Sequence, residues 1–139
     1  MEDRYLFRAK RIDTDEWIIG SLLVDKQQDI ETGEQIEIIG IYPSEYKDFA
    51  KKVDPSTVCQ CTGLKDKNGK LIWENDICDR KEEYPEIVKY NNGDWTLDYS
   101  YSKGKESGYC YCNLGFYALE RKCVEVIGNV IDNPELLEV

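Results

Sequence analysis

Histidine is absent from all 139 residues. That removes the commonest general base near neutral pH and the commonest metal ligand, and with them many enzyme classes. Long apolar runs are missing too, and the opening Met1-Glu2-Asp3-Arg4 is charged where a secretory leader would need an apolar stretch. No membrane partner is therefore expected, and the expected compartment is the cytoplasm. Positive charge is scarce, with 18 Lys and Arg against 28 Asp and Glu and a net charge of -10. A field of that sign repels duplex DNA and anionic lipid alike. The acidity is spread along the chain and reads as a solubilising surface.

The six cysteines also lack the C-x₂-C spacing of structural zinc knuckles. Cys59 and Cys61, and likewise Cys110 and Cys112, are two apart, and on a strand such pairs share one face. In a reducing compartment they are expected, with Cys78 and Cys123, to be small packing residues, with a metal or redox role as the lesser alternative. No cofactor is called for.

What is present is an abundance of short apolar runs and turn residues, in a chain long enough for one compact domain or two small lobes. Strands are expected over residues 5–12 and 17–24, joined as a hairpin around Asp13-Thr14-Asp15-Glu16. Residues 25–35 read as a polar turn with a corner at Thr32-Gly33-Glu34, and a third strand follows over 36–41. Ser44 is placed to cap a short helix whose apolar face would be Tyr46, Phe49, Ala50 and Val53, stopped by Asp54-Pro55. The stretch from Thr57 to Ile77 reads as strand, turn and new strand, with the reversal at Lys67-Asn68-Gly69-Lys70 and a flexible corner at Gly63. Asn92-Gly93 repeats that signal between strands over 87–90 and 95–99. Lys81 to Pro85 and Ser102 to Gly108 read as loops. Residues 109–112 and 114–119 continue the β character, a last strand is expected over 123–130, and Asn133-Pro134 marks a terminal turn. The fold class is mostly β, a β-rich α+β chain. Its expected parts, within one compact unit overall, are an N-terminal strand-rich lobe with one short helix over 1–56 and a small closed barrel or roll over 57–139.

Several of these segments together resemble the YopX family of phage and prophage proteins. They are Thr57-Val58, Thr62-Gly63-Leu64-Lys65-Asp66-Lys67-Asn68-Gly69, Ile72-Trp73-Glu74-Asn75-Asp76-Ile77, Val126-Ile127-Gly128-Asn129-Val130 and Asn133-Pro134-Glu135-Leu136-Leu137. Phe7-Arg8-Ala9 followed by Trp17 and Gly20 is similar to that family's opening. The resemblance implies an SH3-like C-terminal barrel and assembly into homo-oligomers, hexamers included. It implies no established activity, and it brings no catalytic residue to carry over. Members usually have Gly where Asn75 stands, and Asn is the best other residue for a left-handed turn. An aromatic is common where Cys61 stands, which favours packing for that thiol.

Two constellations remain as sites. Glu74 and Asp76 could converge on a cation, but Asp76 beside Asn75 is also what a turn uses to bond its own amides, and that reading is preferred. By strand parity Trp95, Leu97, Tyr99 and Tyr101 share a face. With Tyr109, Tyr111 and Tyr117, and Lys103, Lys105, Arg121 or Lys122 at the rim, these rings could form an interaction surface, Trp95, Tyr99, Tyr109 and Tyr111 above all. The expected role is that of a non-enzymatic phage or prophage accessory protein acting through protein contacts as a homo-oligomer. The alternative is a single-stranded nucleic-acid or regulatory binding module built on those aromatics.

Overall fold

The computed structural model describes residues 2–44, 49–102 and 111–138. The chain divides into two compact units, Met1–Gln60 and Cys61–Val139. Both are built from antiparallel strands, so the mostly β reading holds.

In the first unit β1 (Phe7–Lys10), β2 (Trp17–Gln28), β3 (Gln35–Pro43) and β4 (Lys51–Lys52) lie in the order β4-β3-β2-β1. The start of β5 (Cys59–Lys65) pairs with β1 through Phe7↔Gln60 and Arg8↔Cys59. The expected hairpin of β1 and β2 is present, with Phe7 opposite Gly20 and Lys10 opposite Trp17. Directly opposed residues of an antiparallel pair share a face, so Phe7, Ala9, Ile18, Leu22, Ile39 and Ile41 fall on one side of the sheet. They form the core with Val53 and Val58. Gly20 is required here by space rather than by its torsion angles, because a Cβ would fall on the carbonyl oxygen of Tyr42.

Two expectations in this unit are corrected. The polar stretch 25–35 is mostly ladder, since β2 runs to Gln28 and β3 starts at Gln35. The reversal is confined to residues 29–34, closed by Asp29 N–H donating to Glu34 O at 2.8 Å. The helix expected over 44–53 is not supported by its described part. Tyr46 lies outside the described residues, Phe49 is 84% exposed, and Lys51 to Val53 is extended, with β4 pairing to β3 and Val53 bridging Arg11. The helical spacing of apolar residues was outweighed by an open ladder position beside β3, a tertiary term that periodicity does not contain.

The second unit takes in the rest of β5 and β6 (Leu71–Trp73), then β7 (Asp76–Asp79), β8 (Glu86–Asn91), β9 (Asp94–Asp98), β10 (Tyr111–Asn113) and β11 (Glu125–Asn129). β5 and β6 form the expected hairpin, with a bulge at Gly63 between the paired Cys61 and Lys65. Its turn is held by Asp66, whose carboxylate accepts from the N–H groups of Asn68 (2.9 Å), Lys70 (2.9 Å) and Val126 (3.0 Å). The other strands form a five-stranded sheet in the order β10-β9-β8-β7-β11. Among the described residues no pairing joins β10 to β11, so the expected closed barrel is an open sheet. Asn92 and Gly93, at φ 51° and 85°, make the β8–β9 turn that their sequence specifies.

The segment 114–119, expected as β, is instead helical and includes a π-helical segment at Phe116–Arg121. It ends at Lys122 in the left-handed region, φ 52°. Leu114 and Ala118, four apart, turn inward to a core of Ile72, Cys78, Val88, Leu97 and Val124.

Candidate functional site

The carboxylate pair resolves into turn geometry. Asn75 adopts φ 68°, and the Asp76 carboxylate, on a residue only 2% exposed, accepts the Trp73 N–H at 2.8 Å. That oxygen fixes the reversal between β6 and β7.

The predicted aromatic surface is only partly brought together. Leu97 is fully buried, and Trp95 on the same face packs against the core with its ring edge to Tyr90, centroids 5.1 Å apart. Tyr99 lines a cavity of about 390 Å³ together with Arg80, Glu82, Glu83, Tyr84 and Glu86. Tyr111 contributes backbone pairing to Asp98, and Tyr109 lies outside the described residues. Three carboxylates against one guanidinium beside Tyr99 give the cavity the wrong sign for a phosphate backbone.

At the back of this cavity lies a pair that sequence reasoning missed. Cys78 pairs with Glu86 across β7 and β8, which puts Glu86 on the core face of the sheet. Arg80, two residues beyond Cys78, reaches the same side. Its Nε donates to Glu86 Oε1 at 2.6 Å, its Nη1 to Glu82 Oε1 at 3.0 Å and its Nη2 to Cys112 Sγ at 3.4 Å, while the guanidinium carbon lies 4.2 Å from the Tyr117 ring centroid. Burial drives the Glu86 pKa up by more than the hydrogen bond and charge of Arg80 draw it down. For Arg80 burial works against the charge, but Glu86 overcomes it and the pKa is raised. The asymmetry follows depth, since the Glu86 side chain is 2% exposed and that of Arg80 10%.

Burial likewise raises the Cys112 thiol in spite of Arg80, so it is not an activated nucleophile. Tyr101 donates to the Pro85 carbonyl at 2.5 Å, and burial raises its pKa as well. These groups are fastened to one another, an arrangement that braces the cavity wall. The one sequence signal for it was an acid, Glu86, set immediately before the buried Ile87-Val88.

A second surface lies on the first unit. On the side of the sheet away from the core, parity collects Ile19 and Leu23 of β2 with Ile36, Ile38 and Tyr42 of β3. Ile19, Leu23, Ile36 and Tyr42 are between 41% and 45% exposed. At the base of this apolar stripe Arg8 lies over the Trp17 ring at 4.6 Å, and the Lys10 Nζ at 5.5 Å.

No match is found among curated proteins. Among solved structures the chain is similar to protein EF1440 from Enterococcus faecalis, at 27% identity and a TM-score of 0.50, covering 95% of this chain and 96% of that one. The family described as YopX protein matches residues 6–138, nearly the whole sequence, and the chain belongs to the YopX family.

Proposed function

We propose that this is a non-catalytic accessory protein of phage or prophage type, cytoplasmic, that works through protein contacts as a homo-oligomer. The observation that carries this reading is the outer face of the first unit, where Ile19, Leu23, Ile36 and Tyr42 are exposed on one side of β2 and β3, a face backed by the core at Ile19 and Tyr42 and open to water on both sides at Ile36. Contiguous apolar surface of that kind marks interaction sites. Membership of the YopX family supports the phage-type assignment. An SH3-like reading of the C-terminal unit draws support from its five-stranded sheet, the helical turn before the last strand of that sheet, and the pairing of that last strand, β11, with the sheet's first in sequence, β7. Among the described residues no helix is long and apolar enough to cross a membrane.

Size exclusion with light scattering at micromolar concentration tests the reading. A mass that is a multiple of the 16.2 kDa chain is expected. A strict monomer across that range would sink it.

A further inference from the structure

Among the described residues the far half of the β2–β3 hairpin has no strand partner on one side. β1 pairs with β2 only from Trp17 to Gly20, yet β2 continues to Gln28. Which residues face the open side follows from two bonds. Ser44 N–H donates to Ile19 O, so Ile19 and every second residue after it turn their peptide groups toward β3. Val53 N–H donates to Ile39 O, so Ile39 faces β4 and its partner Val24 faces away from β3. Both bonds agree that Leu22, Val24, Lys26 and Gln28 aim their backbone N–H and C=O groups off the edge that β1 has left. From Leu23 to Gln28 and from Gln35 to Glu37 every side chain is exposed, so this arm is a two-stranded ribbon in water. Such a ribbon is marginal alone.

We infer that the open edge of β2 takes up the same edge of a second copy, antiparallel about a two-fold axis centred on Val24. This rests on the homo-oligomer reading above and names the element that would build the assembly. An edge that pairs with itself in this way satisfies its own donors and acceptors, adding about six backbone hydrogen bonds over residues 21–27. The register follows from charge and length. Centring on Asp25 would set two carboxylates face to face at the closest cross-strand distance. Centring on Leu23 would drive Lys26 into the place that Phe7 holds opposite Gly20 and carry Gln27 and Gln28 beyond it, whereas centring on Val24 brings only the terminal Gln28 to that place. With Val24 opposite Val24 of the second copy, residues 21–27 fill the gap.

Charge selects a second copy of this chain over an unrelated partner. In that register the reversal 29–34 of each copy, which carries Asp29, Glu31 and Glu34 and no cation, arrives at the start of the other copy's β1. At that point stand Arg4 and Arg8, while Lys10 and Arg11, farther along the chain, are paired with Asp15 and Asp13. The Arg4–Glu2 ion pair in this region is solvent-exposed and therefore cheap to exchange.

The test uses the full chain. Val24→Pro removes an N–H that the hairpin's own ladder does not use, so far-UV circular dichroism should match wild type while the light-scattering mass falls to half the wild-type value. Val24→Cys should give a disulfide-linked dimer on mild oxidation, because hydrogen-bonded antiparallel partners stand about 5.5 Å apart at Cα, within disulfide reach. If wild type is oligomeric and Val24→Pro keeps its mass, or Val24→Cys forms no covalent dimer, the edge is not the interface and self-association stands by another surface. If wild type itself has the mass of one chain, both readings fall.

Discussion

Replacing Arg80 by Met would leave the Glu86 carboxylate buried with its guanidinium gone and the hydrophobic stem largely kept. Breaking a buried pair from one side costs about 3–5 kcal/mol when the remaining charge has no escape. Here the escape is protonation, and it sets a ceiling. From the ordinary value of 4.5, protonating Glu86 at pH 7 costs about 3.4 kcal/mol at about 1.36 kcal/mol per pH unit, and at pH 5 only about 0.7 kcal/mol. Loss of the stacking on Tyr117 adds about 1 kcal/mol at either pH. The wild-type pair already bears part of the burial cost, since Glu86 titrates above its ordinary range. The expected destabilisation of Arg80→Met is therefore about 3 kcal/mol at pH 7 and about 1 kcal/mol at pH 5. With an m value of about 2 kcal/mol/M, the urea midpoint should drop by roughly 1.5 M at the higher pH and 0.5 M at the lower. Adding Glu86→Gln should recover most of the pH 7 loss and abolish the pH dependence. Equal losses at both pH values would refute the claim that an isolated buried carboxylate is the cause, as would a loss under about 1 kcal/mol at pH 7.

Two further outcomes are expected. The Asp66 carboxylate is disfavoured by burial, but the amides of Val126, Lys70 and Asn68 outweigh that and lower its pKa below 3.8. It therefore contributes stability that is present above pH 4 and is lost as pH falls through its folded value. Asp66→Asn turns an amide donor toward a backbone N–H and should cost about 1–3 kcal/mol at pH 6, with the gap to wild type narrowing by pH 2.5 in urea titrations; a constant gap would contradict this. Gly20→Ala forces a methyl onto the Tyr42 carbonyl and should cost about 3 kcal/mol, the upper end for overpacking, seen as a lowered melting temperature. An unchanged melting temperature would show that β2 and β3 are less close than described.

Much of the β architecture could be read from local chemistry. Asn92-Gly93 can do little else between two alternating strands, and Asp66 through Gly69 spells its turn in the same way. Asn75 was recognised as a left-handed residue because Asn tolerates that region. Cys59 and Cys61 are both fully buried, as a same-face pair of packing thiols requires. The failures share a cause. Val53 has an apolar neighbour at each helical spacing, yet Arg11 supplied a bridge partner more than forty residues away, and periodicity cannot weigh that offer. The segment after Leu114 failed in reverse, since Tyr and Leu suggested strand while Leu114 and Ala118 were already four apart. Arg80 and Glu86 were invisible because they meet only once β7 and β8 are in register, and that register is set by Ile77 opposite Ile87. The open edge of β2 was hidden for a simpler reason: sequence indicates where a strand is, and only the pairing shows where its neighbour stops.

The pairing of β11 with β7 also imposes an order on synthesis. The core of the first unit draws on Phe7 to Val58, so every residue it needs has been translated before the second unit is begun. The second unit is different. Asp66 awaits Val126, the Asn75 carbonyl awaits Val130, and the edge of β7 stays open until Asn129 has been made. A ribosome that pauses between β7 and β11 therefore holds out a nascent chain with one exposed strand edge and a buried-to-be acid, the species on which holding chaperones act.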